Sequence, residues 1–209
     1  METTTSHPIN AALYWDKALS YHQYRELIDR LLLENKTTGP QQSPELTQYT
    51  RMNVQRMQRL DKQAALHEDL QQLLAQIQLP MRWLVISEGW CGDAAQILPW
   101  LHKIADYSPS IELRIVLRDE HPELIDAFLT NGGRSIPKLI VLSASTQKYL
   151  GQWGPKPAAA QTLYLGLKAK NLPFMEASTQ LHKWYATNKG IDLQKEMQTL
   201  IPLWAADRA

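Results

Sequence analysis

Apolar residues recur at helical spacing along the first third of the chain. They fall on one face of a predicted helix at Tyr24, Leu27, Ile28, Leu31 and Leu32. Residues 36–43 are rich in turn-forming residues, and Ser43, Pro44 and Glu45 then have the composition of a helix start. No glycine or proline follows until Pro80. The pattern predicts one long bent helix in this stretch, or two helices joined near Asp61.

The spacing of apolar residues changes after Pro80. Short runs rich in β-branched and aromatic residues at 82–87 and 111–117 predict two strands, each followed by a helical segment at 90–106 and 122–129. Two further short runs, 138–142 and 147–152, predict a hairpin. A helix over 157–170 and two more helices beyond Pro173 complete the pattern. The order is that of an α/β fold.

Composition and charge exclude several classes of protein. The 209 residues carry 22 basic and 21 acidic side chains, for a net charge of +1, so we expect no nucleic-acid partner. No apolar run approaches the length of a membrane span, and residues 1–8 lack the features of a secretory signal. The single cysteine cannot form an internal disulfide, which favours a reducing, cytoplasmic location. The six histidines show no ligand spacing, so we expect no metal site and no cofactor.

The single cysteine lies at a junction where thiol chemistry is favoured. Cys91 follows the first predicted strand and precedes a predicted helix. The N-terminus of a helix presents unpaired N–H groups and the positive end of the helix dipole, which favour an anion. A cysteine in this position can have a lowered thiol pKa and act as a nucleophile. In another setting it would be a small buried apolar side chain.

Two motifs carry a resemblance to the thioredoxin-like proteins. Trp-Cys-Gly at 90–92 and Ser-Ile-Pro at 135–137 resemble the active-site motif and the proline loop of that superfamily, at a suitable separation. The wider sequence Trp-Cys-Gly-Asp-Ala resembles a bacterial branch of it. The resemblance implies a thioredoxin-like four-stranded mixed sheet flanked by helices, in the order 111–117, 82–87, 138–142, 147–152. We therefore expect an N-terminal helical extension (1–80), a thioredoxin-like core (81–170) and a C-terminal helical extension (171–209), packed as one compact unit.

The resemblance also implies roles for individual residues. Cys91 would be the nucleophile, with Trp90 before it. Pro137 would be a cis-proline beside the sulfur, and the backbone of Ile136 would pair with an extended substrate peptide. Trp90, Ile136 and Pro137 are therefore the predicted substrate-binding residues.

Departures from the family pattern bear on the chemistry. The position of the second cysteine is occupied by Ala94, so a mixed disulfide cannot be resolved within one chain. The position of a buried carboxylate that assists deprotonation is Val85. The charge of Asp93 opposes thiolate formation, and Arg134 offsets it if its loop points toward the sulfur. Asp93 and Arg134 are thus predicted to modulate the thiol.

Three functional hypotheses follow. In the first, a monothiol protein uses the Cys91 thiolate in thiol-disulfide exchange with a protein or small thiol or disulfide, and an external thiol resolves the product. In the second, the same groove is a redox-inactive binding module for a peptide or protein. The third and weakest is a resemblance to the monothiol glutaredoxins, which bridge an iron–sulfur cluster with glutathione, although the residues after Cys91 depart from that pattern.

Two other polar features allow alternative interpretations. Glu88 is predicted at the surface. Asn53, Arg56 and Arg59 share one helix face, which is either a solvated basic face or a cover over the Cys91 side of the sheet that binds an anionic group.

Overall fold

The N-terminal part of the chain is helical. The computed structural model describes residues 9–206, which begin with a short 3-10 helix, Ala11–Tyr14. Three α-helices follow: α1 (Tyr21–Leu33), α2 (Pro44–Gln63) and α3 (Glu68–Gln76). The side chain of Ser43 caps α2 by accepting from the backbone N–H of Leu46, and Pro44 occupies the first turn, as the sequence predicts.

The region from Pro44 to Pro80 contains two helices rather than one bent helix. The chain is extended at Ala64 and at His67, which separate α2 from α3. The backbone N–H of His67 donates to the side-chain oxygen of Gln194 at 2.8 Å. A residue from the other end of the chain therefore satisfies a donor that the helix break leaves without an intrahelical acceptor.

Four strands form one mixed sheet. They are β1 (Met81–Ser87), β2 (Ile111–Leu117), β3 (Lys138–Ser143) and β4 (Tyr149–Trp153). Their order is β2-β1-β3-β4, with β1 and β2 parallel and the other pairs antiparallel. Val85 lies opposite Ile115 on one side and Leu139 on the other. The predicted α/β class, mixed sheet and strand order are confirmed.

Helices connect and flank the strands. Between β1 and β2 runs α4 (Gly92–Tyr107), and a 3-10 turn (Arg118–Glu120) and α5 (Pro122–Ala127) follow β2. After β4 come α6 (Ala158–Ala169), α7 (Phe174–Asn188) and α8 (Ile191–Ala205). No helix among residues 9–206 is both long and apolar enough to cross a membrane.

The core is centred on β1. Four consecutive residues of this strand are completely buried: Trp83, Leu84, Val85 and Ile86. A strand that is covered on both faces is apolar along its whole length, which explains why the sequence predicts this strand clearly. Helix α2 packs on α4, α4 on β2, and α3 on α8.

Both helical ends of the chain are tied to the sheet. Leu19 pairs with Ile115 through two backbone hydrogen bonds of 2.7 and 2.8 Å, which extends the sheet beside β2. The carboxylate of Glu196 in α8 accepts from the indole N–H of Trp153 at 2.6 Å and from the backbone N–H of Ala158 at 2.7 Å. The second contact satisfies a free donor at the start of α6.

Candidate functional site

Cys91 caps the N-terminus of α4. Its backbone is extended, and its sulfur accepts from the backbone N–H of Ala94 at 3.4 Å. The turn that holds it begins where β1 ends, and the backbone N–H of Cys91 donates to the carbonyl of Glu88 at 3.1 Å. The sulfur therefore lies at the helix end where an anion is favoured.

The thiol of Cys91 also contacts the proline loop. Its S–H donates to the backbone carbonyl of Ile136 at 3.3 Å, and the Ile136–Pro137 peptide bond is cis. Ile136 and Pro137 are buried, and Cys91 is 8% exposed. Two segments that lie 45 positions apart in the sequence thus meet at the sulfur. The assignment of Cys91, Trp90, Ile136 and Pro137 to catalysis or substrate binding stays a prediction.

The environment of Cys91 favours the neutral thiol. Burial raises its pKa to about 12, and the carboxylate of Asp93 acts in the same direction. The backbone N–H groups of Ala94 and Asp93 and the ammonium of Lys156 lower the pKa without reversing the shift. The neutral thiol is therefore the dominant form of Cys91 at pH 7.

Asp93 is held by two side chains from the C-terminal part of the chain. The ammonium of Lys156 lies 2.9 Å from one carboxylate oxygen, and the hydroxyl of Tyr185 donates to the other at 2.7 Å. Lys156 also lies 4.8 Å from the centre of the Tyr164 ring, within cation–π range. The group nearest to Asp93 that offsets its charge is therefore Lys156, which the sequence analysis did not identify.

Arg134, predicted to offset Asp93, is engaged elsewhere. Its guanidinium forms two hydrogen bonds of 2.6 Å with the carboxylate of Asp126 in α5. Arg118 lies beside it and donates to the backbone carbonyl of Arg134 at 3.5 Å. Its guanidinium lies 4.7 Å from the centre of the Trp90 ring and pairs with Asp119 at 2.8 Å. The modulating role of Arg134 stays a prediction.

A groove of about 430 Å³ opens above Cys91. The wall formed by α2 and α7 comprises the lining residues of these two helices, which meet at Tyr49 and Phe174. The rest of the lining comes mainly from the start of α4, the proline loop and residues between Pro155 and Tyr164. Its apolar lining includes Tyr49, Trp90, Ile136, Tyr164, Phe174 and Leu181. This volume is in the range of sites that bind small molecules or a few side chains.

Glu88 is buried, and its predicted surface position is wrong. It is completely inaccessible, accepts from the hydroxyl of Thr38, and accepts from the backbone N–H of Asp119 at 2.9 Å. The hydroxyl of Thr38 in turn accepts from the backbone N–H of Gly89 at 2.8 Å. Burial raises the pKa of Glu88. The sequence places Glu88 in a polar turn and gives no sign of its partners, which lie far from it along the chain.

The face of α2 that carries Asn53 lies against the turn before Cys91. Asn53 is buried, and its side-chain amide donates to the carbonyl of Gly89 at 3.0 Å. Arg56 donates to the side-chain oxygen of Asn53 at 2.7 Å, while Arg59 is exposed. The start of this face is therefore packed on the site rather than solvated. An anion bound there stays a prediction.

His182 is a groove residue that the sequence analysis missed. The side-chain amide of Gln96 lies 3.2 Å from its Nδ1, and a methyl group built on Gly92 would lie 2.9 Å from its Nε2. Burial lowers the pKa of His182 to about 4, and the nearby Arg56 contributes. The separation of His182 and Cys91 along the sequence does not indicate that they share a site, because His182 reaches the site from α7.

Comparisons with known proteins fit this architecture. No curated protein matches the chain. The crystal structure of a protein of unknown function from Pseudomonas aeruginosa is similar, with 18% identity, a TM-score of 0.60, and coverage of 92% of this chain and 96% of that one. The structure of an HIV epitope-scaffold is also similar, with 18% identity, a TM-score of 0.59, and coverage of 92% and 97%. The family model described as thioredoxin matches residues 39–172, more than half of the sequence, and the chain therefore belongs to this thioredoxin family.

Proposed function

We propose that this protein binds an extended segment of a partner protein in the groove above Cys91, and that Cys91 serves there as a neutral thiol rather than as a redox nucleophile. The observation that carries the proposal is the hydrogen bond from the thiol to the carbonyl of Ile136, in a setting where Cys91 is nearly inaccessible. A thiol that donates a hydrogen bond is stabilised in its protonated form.

Two further residues support a binding role without thiol redox chemistry. Ala94 occupies the position where the resolving cysteine of a dithiol protein would lie, and it is buried. Val85, at the position of the carboxylate that assists deprotonation, is an apolar core residue. A site without these two groups can still bind a partner, because the function of a fold depends on the residues of its site.

The backbone of the proline loop supplies a docking point for an extended chain. Among residues 9–206, nothing accepts a hydrogen bond from the backbone N–H of Ile136, which lies at the groove. The carbonyl of the same residue keeps one lone pair beyond the one that the Cys91 thiol uses. A peptide main chain that runs along the loop would pair with both groups, as in strand addition to a sheet edge.

Fluorescence anisotropy with labelled decapeptides of acidic, basic and apolar composition tests the proposal. At least one peptide is expected to bind, and Cys91→Ser, which keeps a hydroxyl donor, should change its Kd less than about twofold. Ser178→Trp, which fills the groove, should abolish binding. Thr187→Trp, at an exposed position of the same helix, is the matched control and should bind as the wild type does. Failure of all decapeptides to bind, or binding unaffected by Ser178→Trp, rejects the proposed function.

A second candidate is monothiol exchange, favoured by the Ala94 N–H and the Lys156 ammonium, which both stabilise a thiolate at Cys91. In this reaction Cys91 loses its proton to solvent, and its thiolate attacks one sulfur of a substrate disulfide. A bond forms between Cys91 and that sulfur while the other sulfur leaves as a thiolate. An external thiolate then attacks the substrate sulfur, which releases Cys91 as the leaving thiolate and takes up the substrate in a new disulfide.

Intact mass spectrometry separates the two candidates. Wild-type protein is incubated at pH 7 and pH 9 with oxidised glutathione, and the fraction carrying a glutathione adduct is measured. Under the binding proposal the adduct forms more slowly than on an unfolded control denatured in urea. Faster adduct formation on the folded protein favours exchange, because it requires an activated thiol.

The proposal also includes a cellular compartment and a class of partner. A reducing, cytoplasmic compartment and a protein partner suit a chain with one unpaired cysteine and near-neutral charge. The bacterial branch with the Trp-Cys-Gly-Asp-Ala motif remains the finer family assignment that we propose.

A further inference from the structure

We propose that the groove selects an uncharged, apolar segment, and that the wall formed by α2 and α7 is what selects it. This inference rests on the proposed binding function. It names the chemical class of the partner segment and assigns the anchor side chain to the space between Trp90 and the exposed residues at the start of α7.

The charged groups of the groove are balanced within the chain. Three basic side chains line it, and each is paired with a carboxylate of this protein: Arg118 with Asp119, Arg134 with Asp126, and Lys156 with Asp93. Asp93, the acidic residue of the lining, is the partner of Lys156. A charged ligand would therefore have to compete with an existing ion pair, whereas an uncharged ligand leaves all three intact.

The histidine of the lining adds no charge at neutral pH. Burial and the neighbouring Arg56 hold the pKa of His182 at about 4, so the imidazole is neutral. The amide of Gln96 lies near its Nδ1 and satisfies one ring nitrogen. The ionisable side chains that line the groove thus offer no unpaired charge at neutral pH, which removes the main reason for a charged ligand to prefer it.

The wall from α2 and α7 exposes a cluster of apolar side chains. Phe174 is 67% exposed and Met175 is 58% exposed, although both are large and adjacent. Tyr49 of α2 contacts both side chains. Its ring centre lies 6.2 Å from that of Phe174, and its hydroxyl lies 2.6 Å from the sulfur of Met175. Exposed aromatic and methionine side chains at the rim of a groove gain most from covering by another apolar surface.

The same groove favours a peptide over a free hydrocarbon. Ile136 and Phe174 both line the groove, and the unpartnered backbone N–H of Ile136 can donate to an acceptor such as a peptide carbonyl. The combination of an apolar wall and one backbone donor fits a main chain that pairs with the loop while its side chains point toward α2 and α7. Charge neutrality, apolar cover and backbone pairing together define an uncharged extended segment.

Three blocked decapeptides of equal length test the inference by fluorescence anisotropy. They carry central phenylalanine and leucine residues, central glutamates, or central lysines, in a common glycine, serine and threonine background. The apolar peptide should bind at least about tenfold more tightly than either charged one, a difference that the burial of one large side chain supplies. Its Kd should change less than about twofold between about 50 and 500 mM NaCl, because no ionic contact forms.

A matched pair of variants locates the anchor. Phe174→Ala should weaken binding of the apolar peptide by about tenfold, while Leu33→Ala, at a position that is 86% exposed and outside the groove lining, should leave it unchanged. Tighter binding of a charged peptide, with loss at high salt, overturns the inference but leaves the proposed function standing. Failure of every peptide rejects the proposed function itself. Concentration-dependent dimerisation that Phe174→Ala removes, measured by sedimentation velocity, also overturns the inference, because a second copy would then be the occupant.

Discussion

The ammonium of Lys156 lies 2.9 Å from the carboxylate of Asp93, and these side chains are only 6% and 18% exposed. The pair lies beside the Cys91 thiol, with the carboxylate raising its pKa and the ammonium lowering it. Since charges in such a setting are poorly screened by solvent, this pair modulates the pKa of Cys91, which burial raises most.

Replacement of Asp93 by asparagine is expected to lower the pKa of Cys91. The change removes the nearest negative charge and leaves the ammonium of Lys156 to stabilise the thiolate, while the amide retains an acceptor for Tyr185. At pH 9 the rate of alkylation by iodoacetamide should rise about tenfold, as one unit of pKa implies. Asp126→Asn, which removes a carboxylate paired with Arg134 at the groove rim, is the control and should change the rate little. An unchanged or slower rate in Asp93→Asn would show that the carboxylate does not govern the thiol.

Replacement of Lys156 by methionine should destabilise the fold. The variant leaves the partly buried carboxylate of Asp93 without its cation, at a cost of about 2 to 3 kcal/mol in the free energy of unfolding. The double variant Asp93→Asn with Lys156→Met should recover part of this loss, because no unpaired charge remains. Urea unfolding of the wild type, both single variants and the double variant gives the coupling energy. Strictly additive effects would mean that the two groups do not interact.

The buried carboxylate of Glu88 should give the protein a recognisable dependence of stability on pH. Because burial raises its pKa in the folded state above the ordinary value of 4.5, the folded protein holds this proton more tightly than the unfolded chain does. Its contribution to stability is therefore fully present below pH 4.5 and is lost as the pH rises through the raised folded-state pKa. The stability of the wild type relative to Glu88→Gln should fall over that interval.

Urea unfolding at a series of pH values from 4 to 8 measures this difference. A difference that grows with pH would contradict the prediction, since it would mean that hydrogen bonds to the carboxylate outweigh its burial. Thr38→Val, which removes a hydroxyl donor to Glu88, should cost more stability at pH 8 than at pH 4, because hydrogen bonds to a charged group are stronger.

The fold was predictable because its signals are local. Strand β1 is a continuous apolar run that is buried on both faces, and β2 begins and ends at the residues that the sequence indicates. Ser43 and Pro44 mark the start of α2 through capping chemistry that needs no tertiary partner. The break between α2 and α3 was left open, since the contact that holds it comes from Gln194, 127 positions away.

The site was only partly predictable for the same reason. The Trp-Cys-Gly and Ser-Ile-Pro motifs identify the loops that meet at the sulfur. Glu88 was assigned to the surface, although it is buried and accepts a hydrogen bond from Thr38, 50 positions before it. Lys156 and His182 reach the groove from beyond the sheet, and neither has a spacing to Cys91 that sequence reasoning can use. The packing of α2 and α7 on the core brings together side chains that are far apart in the sequence. No local sequence pattern predicts such contacts.

The attachment of the C-terminal helix depends on the absence of a side chain at Gly151. A methyl group at this position of β4 would lie 2.0 Å from the indole nitrogen of Trp204, whose ring meets that of Trp83 edge to face at 6.0 Å. Gly151→Ala should displace Trp204 and lower the free energy of unfolding by about 1 to 3 kcal/mol, the usual cost of overpacking. Gly166→Ala is the matched control: it lies inside α6 with nothing within 4 Å of the added methyl group, and it should stabilise the protein by about 0.5 to 1 kcal/mol. Urea unfolding followed by tryptophan fluorescence reports both effects, and equal behaviour of the two variants would mean that α8 does not depend on this contact.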